Sequence, residues 1–142
     1  YLLQSSREEL TTLGAELDFL RSYLHLLKTR FGNALQANIE VPVQWLNHRI
    51  PPLTLQLLVE NAVKHNIVSS SQPLHLNITV ENDRLRVSNN LQPKVLNLPS
   101  EKVGLANIMA RYRLLHQPEV VVENTGSQFV VQLPLIPSTP AS

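Results

Sequence analysis

Along the first third of the chain, apolar residues recur at Leu10, Leu13, Leu17, Leu20, Leu24, Leu27 and Phe31, in alternating steps of three and four. That stripe marks an amphipathic helix of the coiled-coil type, and Gly32-Asn33 supplies its stop. A second row, Phe19, Tyr23 and Leu26, widens the apolar face. The helix is therefore expected to pack on the domain and on something else, and both a core-covering helix and a dimer interface fit the pattern. "LQANIEV" (35–41) reads as a strand and 42–52 as a loop ending in Pro51-Pro52. Proline suits the first turn of a helix, which makes 53–66 helical. After the loop "SSSQP" (69–73), "LHLNITV" and "LRVSN" alternate apolar and polar residues around Glu81-Asn82-Asp83-Arg84, a hairpin signal. Residues 91–103 carry Pro93 and Pro99 with little periodicity, and make a loop long enough to act as a lid. Gly104 to His116 reads as a helix with Leu105, Ile108, Tyr112 and Leu115 on one face. "EVVVEN" and "SQFVVQLPL" around Thr125-Gly126 form a closing hairpin, and "IPSTPAS" is a tail. The order α-β-α-β-β-loop-α-β-β predicts an α+β protein, a two-layer α/β sandwich with helices on one face of the sheet.

Composition sets the limits on this picture. A chain of 142 residues with 43% hydrophobic and 16% charged residues folds as one domain with a real core. Twelve basic against eleven acidic residues leave a net charge of +1, without the clustered basic face of a nucleic-acid binder. There is no cysteine, which removes disulfides and thiolate-held zinc and fits a reducing compartment. No apolar run approaches the ~18 residues of a membrane span. Tyr1 falls within helical-looking sequence, so the chain reads as a piece of a longer protein.

The segment "LTLQLLVENAVKHNI" (53–67) crowds Glu60, Asn61, Lys64, His65 and Asn66 into the end of an apolar helix. At about 100° per residue, Glu60, Lys64, Asn61 and His65 share one arc, with Leu57 the apolar intruder on it. Asn66 falls on the apolar side and reads as a cap. The arc is either a solvated face, with Glu60 and Lys64 paired one turn apart, or a site. The chemistry of the set favours a site. A carboxylate can orient a nucleophile, an asparagine carbonyl suits Mg²⁺, and Lys with His can meet phosphate oxygens. His25 reads as a structural histidine, and His48, His75 and His116 lack metal-ligand spacing. Trp45 reads as a packing anchor in a loop, and no Walker A or G-x-S-x-G pattern occurs.

"LLVENAVKHN" resembles the N box of the ATPase superfamily shared by gyrase, histidine kinases and mismatch-repair proteins. More narrowly, "ELDFLRSYLHLLKTRF", "PPLTLQLLVENAVKHN" and "VGLANIMARYRLLH" resemble, in that order, the C-terminal half of LytS-like sensor histidine kinases. The resemblance runs from about residue 8 to residue 135. It implies a mixed sheet covered by helices on one face, the Bergerat-type ATPase fold. Residues 1–33 would connect from an upstream dimerisation and phosphoacceptor segment, 34–136 would form the ATP-binding catalytic domain, and 137–142 a tail.

The resemblance also implies roles. Asn61 would hold Mg²⁺ and Glu60 would act as base or polarising residue for phosphoryl transfer. Lys64 and His65 would face the phosphates, Leu57 would line the adenine pocket, and 91–103 would be the ATP lid. Two stretches depart from the family pattern. In "VSNNLQP", Asn89, followed by Asn90, stands where an aspartate that binds the adenine amino group is expected, and the glycines are missing. An asparagine carbonyl still accepts from an amino group, without the charge. In "EKVGL", Lys102 replaces the first glycine of a G-x-G-L motif, with Gly104 and Leu105 retained. Gly104 would open a helix whose N-terminus takes phosphate. Asn107 and Arg111 follow it on one face, opposite the stripe of Leu105, and Asn90, Lys102, Gly104, Leu105, Asn107 and Arg111 would all contact the nucleotide.

The implied activity is transfer of the ATP γ-phosphoryl group to a histidine, in the same or the partner protomer, outside this chain. A response regulator of the LytTR type would follow, with a homodimeric full-length protein and a cytoplasmic location beneath an inner-membrane sensor. The second reading is a nucleotide-binding or dimerisation module without turnover. A gyrase-type hydrolytic ATPase would instead release phosphate steadily from this segment.

Overall fold

The computed structural model describes residues 10–94 and 100–138, with the backbone alone for 100–103. Three helices lie on a five-stranded mixed sheet, as the element order implies. The helices are α1 (Leu13–Phe31), α2 (Thr54–His65) and α3 (Ser100–Leu114). Strands β2 (Leu35–Glu40), β4 (Leu74–Glu81), β5 (Arg84–Asn90), β6 (Val121–Asn124) and β7 (Gln128–Pro134) form a sheet in the order β2-β4-β5-β7-β6. β2 runs parallel to β4, with α2 in the crossover, and the other pairings are antiparallel. The β4–β5 hairpin turns at Asn82 and Asp83, both with positive φ (53° and 62°), the backbone such tight turns need.

α1 opens at Leu13, not Leu10. Thr12 caps it by accepting from the Ala15 N–H at 3.2 Å. Carbonyls of the 42–48 loop take the next donors, Leu13 N–H to His48 O (2.7 Å) and Gly14 N–H to Leu46 O (3.0 Å). The helix stops at Gly32, which adopts φ 59° as a residue without Cβ can. Leu13, Leu17, Leu20 and Leu24 are buried in the main core with Leu35, Leu55, Ile78 and Leu133. The second row behaves differently: Phe19 and Leu26 are 50% and 68% exposed, and only Tyr23 leans on the core.

Two short elements have no signature in the sequence. β1 (Thr11–Thr12) pairs with β3 (Arg49–Ile50), and Arg49 exchanges two backbone hydrogen bonds with Ile136. The tail therefore begins after Ile136, while 139–142 lie outside the described residues. Two residues per strand are too few to show a period.

α2 also differs at its start. Pro51 and Pro52 precede the helix instead of entering its first turn, and Leu53 sits before it in a left-handed conformation (φ 66°). No neighbouring side chain caps this end. Glu16 of α1 does so, its Oε1 accepting the Leu53 N–H at 3.2 Å and its Oε2 the Leu55 N–H at 3.1 Å. Arg111 of α3 donates to Pro52 O at 3.1 Å beside it. Burial pushes the Glu16 carboxyl above the usual carboxylate range, and the two N–H groups and the Arg111 charge offset that only in part.

The folded state thus holds the Glu16 proton more tightly than the unfolded chain, whose carboxyl titrates near 4.5. Stability contributed by this group is present below that value and is lost as pH rises through the folded-state pKa. In urea unfolding at neutral pH, Glu16→Ala should cost about 1–3 kcal/mol, because two helix-end donors lose their acceptor. Glu16→Gln should cost less and show a shallower decline of stability with pH above 4.5; equal slopes in the two proteins would exclude this role for Glu16.

Candidate functional site between α2 and α3

The polar arc of α2 does not face one way. Its neighbours divide it between α3, α1 and the segment following β5.

Asn61 turns toward α3. A Cβ built at Gly104 would lie 3.0 Å from Asn61 Nδ2, so the glycine lets the two helices approach at this point. Asn61 is half-buried, and its Nδ2 is buried with no hydrogen-bond partner among the described residues. A buried N–H left unsatisfied costs about 1–3 kcal/mol.

Glu60 points elsewhere. It is exposed and accepts a hydrogen bond from Gln56 Nε2 at 3.0 Å. The Tyr23 phenol on α1 faces it; partial burial first, and then the Glu60 charge and hydrogen bond, raise the Tyr23 pKa. Lys64, one turn further on, is exposed, and Leu57 on the same arc is half-buried against the core.

His65 is buried, under the chain that leaves β5. That chain follows the end of α2: Ile67 N–H donates to Gln92 O (2.7 Å) and Lys94 N–H to His65 O (3.1 Å). Asn66 is the expected cap, reached by a different route. It keeps extended backbone (φ −119°), donates through Nδ2 to Ala62 O at 2.9 Å, and accepts the Gln92 N–H through Oδ1 at 2.8 Å. The first residues of the expected lid are thus tied to α2, while 95–99 lie outside the described residues.

Asn89 and Asn90 end β5 just before that chain. Asn89 is buried and donates to the Asn90 carbonyl at 2.8 Å. Asn90 spends its side chain on the start of β4, accepting from the His75 N–H at 2.7 Å and donating to Pro73 O at 3.2 Å.

On α3, one expectation is corrected. The helix starts at Ser100, so Gly104 is its fifth residue and does not open it. Its role is the close approach to Asn61. Leu105 is half-buried against the core and Asn107 is exposed. Arg111 is half-buried with its guanidinium on Pro52, at the far end of α2 from Asn61. Gly104 and Arg111 therefore share a face, as their spacing implies, and that face is the contact with α2. The side chain of Lys102 lies outside the described residues. Tyr112 is buried and its hydroxyl has no partner among the described residues; burial and then the nearby Glu16 charge push its pKa up.

With the geometry in place, comparison with known proteins decides the relationship. The chain is 36% identical over 78 residues to the sensor histidine kinase/phosphatase LytS of Staphylococcus aureus strain MRSA252, and 35% to that of strain Mu50. The chain is a homologue of the LytS sensor histidine kinase. The match covers 55% of this chain and 13% of the relative's length, and no family model matches. Among solved structures, the catalytic domain of histidine kinase ThkA, in a nucleotide-free form, superposes with a TM-score of 0.59 at 15% identity, over 90% of this chain and 97% of that one. Acinetobacter baumannii histidine kinase AdeS gives 0.58 at 14%, over 89% and 66%. The fold is that of histidine kinase catalytic domains.

The Asn61–Gly104 contact makes a direct prediction. Gly104→Ala gains helix propensity, roughly 1 kcal/mol, and loses the room taken by the Asn61 amide. Thermal stability should therefore move by no more than about 1 kcal/mol, while the Asn61 side-chain amide signal shifts in ¹H–¹⁵N spectra. An unmoved signal would mean that the two helices do not meet there.

Proposed function

We propose that this chain is the ATP-binding catalytic domain of a sensor histidine kinase, with Mg·ATP held between α2 and α3. The observation that carries the reading is Asn61, whose Nδ2 is buried without a hydrogen-bond partner among the described residues and faces Gly104 of α3, in a chain homologous to a sensor histidine kinase. Among the described residues no three His, Asp or Glu side chains converge on a metal site, and Mg²⁺ needs few protein ligands when phosphates supply the rest. Asn61 would be its protein ligand. When bound, the cation neutralises charge on the transferring phosphoryl group.

The chain's own residues supply position and proton handling. Asn89, at the end of β5, would accept from the adenine amino group, with Leu57 lining the base pocket and Asn90 and Leu105 beside them. Lys64, with His65 and Lys102, would balance phosphate charge, and Asn107 would lie on the exposed side of the same groove. Arg111 acts at one remove, by holding the start of α2. Glu60 is turned away from Asn61 and toward solvent, where an incoming histidine could reach it. Its carboxylate would orient and polarise that imidazole for attack in line with the leaving group.

The acceptor would be a histidine of an upstream segment, in the same or the partner protomer of a homodimer. A response regulator of the LytTR type would receive the phosphoryl group. The whole protein would place this domain on the cytoplasmic side of a membrane sensor. No helix among the described residues is long and apolar enough to cross a membrane.

Calorimetric titration with Mg·ATP tests the binding claim. Saturable heat is expected, and Asn61→Ala should weaken it by about tenfold or more through loss of the cation ligand. Silence at about millimolar nucleotide would sink the proposal. In a longer protein that carries the acceptor histidine, Glu60→Ala should abolish phosphotransfer while leaving nucleotide affinity within about threefold.

A further inference from the structure

A groove runs between α1 and β2, on the flank of the domain away from the α2–α3 contact. It holds about 380 Å³ and is lined by Arg21, Leu24, His25, Lys28, Leu35, Ala37 and Ile39. The floor is apolar and strand-shaped. Leu35, Ala37 and Ile39 alternate along β2 and so point to one face, but only Leu35 is fully covered. The rim is basic: Arg21 and Lys28 carry positive charge with His25 between them, all three exposed at successive turns of α1. Asp18 is the acidic neighbour; it meets Arg21 at 3.3 Å with both side chains exposed, a contact that competes weakly with an incoming carboxylate.

β2 is also an open edge. It pairs with β4 on one side and is the outermost strand of the sheet among the described residues, so the N–H and C=O groups of alternate residues along it face outward. Such edges are usually blunted by lysine or proline on the strand itself. β2, with sequence LQANIE, has neither, and its one charge, Glu40 at its end, is engaged by Asn38 Nδ2 at 3.0 Å.

The two observations coincide in space and scale. Arg21 and Lys28 stand about 10 Å apart along the helix. Alternate residues of a strand lie about 6.8 Å apart, so two or three inward-facing side chains of an added strand would span that rim. Glutamates at those positions would lay their methylenes on Leu24, Ala37 and Ile39 and present carboxylates to Arg21, His25 and Lys28.

We propose that this groove docks an extended acidic segment of a partner protein, which adds to the free edge of β2 and is selected by alternate glutamates or aspartates. Main-chain hydrogen bonds to β2 would provide adhesion and the α1 cations the selection. The inference is independent of nucleotide binding, because none of its residues belongs to the α2–α3 site.

The test uses a fluorescein-labelled, blocked octapeptide with glutamate alternating with valine. Anisotropy should report saturable binding, and amide shifts in the ¹⁵N-labelled chain should centre on 35–40. Joint replacement Arg21→Glu and Lys28→Glu, both on the exposed rim, should weaken binding by about tenfold without moving the thermal midpoint. A control peptide with lysine for glutamate should not bind. Equal affinity for both peptides, shifts centred elsewhere, or indifference to the double reversal would overturn the proposal. So would peptide silence alongside charge-dependent co-sedimentation with phosphatidylglycerol vesicles, which would make the rim a membrane-facing surface instead.

Discussion

One buried carboxylate sets the arrangement of the three helices. The left-handed Leu53 opens α2 without a local cap, so the helix needs an acceptor from elsewhere in the fold. Glu16 provides both oxygens from α1, and Arg111 of α3 closes the preceding turn on Pro52. Burying a carboxylate is unfavourable, as its raised pKa shows. Two backbone donors, the positive end of a helix and a guanidinium offset part of that cost where α1, α2 and α3 meet. A hydrophobic residue in place of Glu16 would leave the α2 donors unpaired. The charge therefore belongs to the architecture as much as any leucine of the core.

From that junction the spacing of the other contacts follows. Along α1 and α2, Glu16 meets Leu53 and Tyr23 meets Glu60, so both helices advance seven residues between contacts and run side by side in one direction. Between α2 and α3 the order reverses, with Pro52 against Arg111 and Asn61 against Gly104. Each pair of helices is pinned at two points about 10 Å or more apart. Two pins define orientation as well as distance. In this way Asn61 faces α3 while Glu60, one residue earlier, faces α1 and solvent.

The legibility of the sequence followed the range of the forces involved. The leucine stripe of α1, the Asn82-Asp83 turn and the alternation of β4 and β5 are local patterns, and each element appears where its pattern lies. The start of α3 was hidden because residues 100–103 carry no apolar period. The same applies to β1 and β3, at two residues each. Glu16 lies 37 residues from its first partner, and on the helix surface it reads as another charge between leucines. Its position in the leucine-rich band, next to Leu17 and one turn from Leu13 and Leu20, was the available signal. The polar arc of α2 was legible as a set. How it divides was not, because that depends on which neighbour covers each side, and tertiary packing alone decides it.

That division bears on how a kinase domain of this shape would be controlled. A residue enclosed between α2 and α3 feels the positions of those two helices, whereas Glu60 also feels α1 through Tyr23. α1 reaches α2 at both the cap and the catalytic candidate, with equal spacing on the two helices. A shift of α1 along its axis by one turn, about 5.4 Å, would break both contacts together. A smaller rotation would release Tyr23 from Glu60 while Glu16, nearer the pivot at the capped end, stayed in place. The exposed row of Phe19 and Leu26 lies on the same helix as Tyr23, so a contact on that row would reach Glu60 through α1.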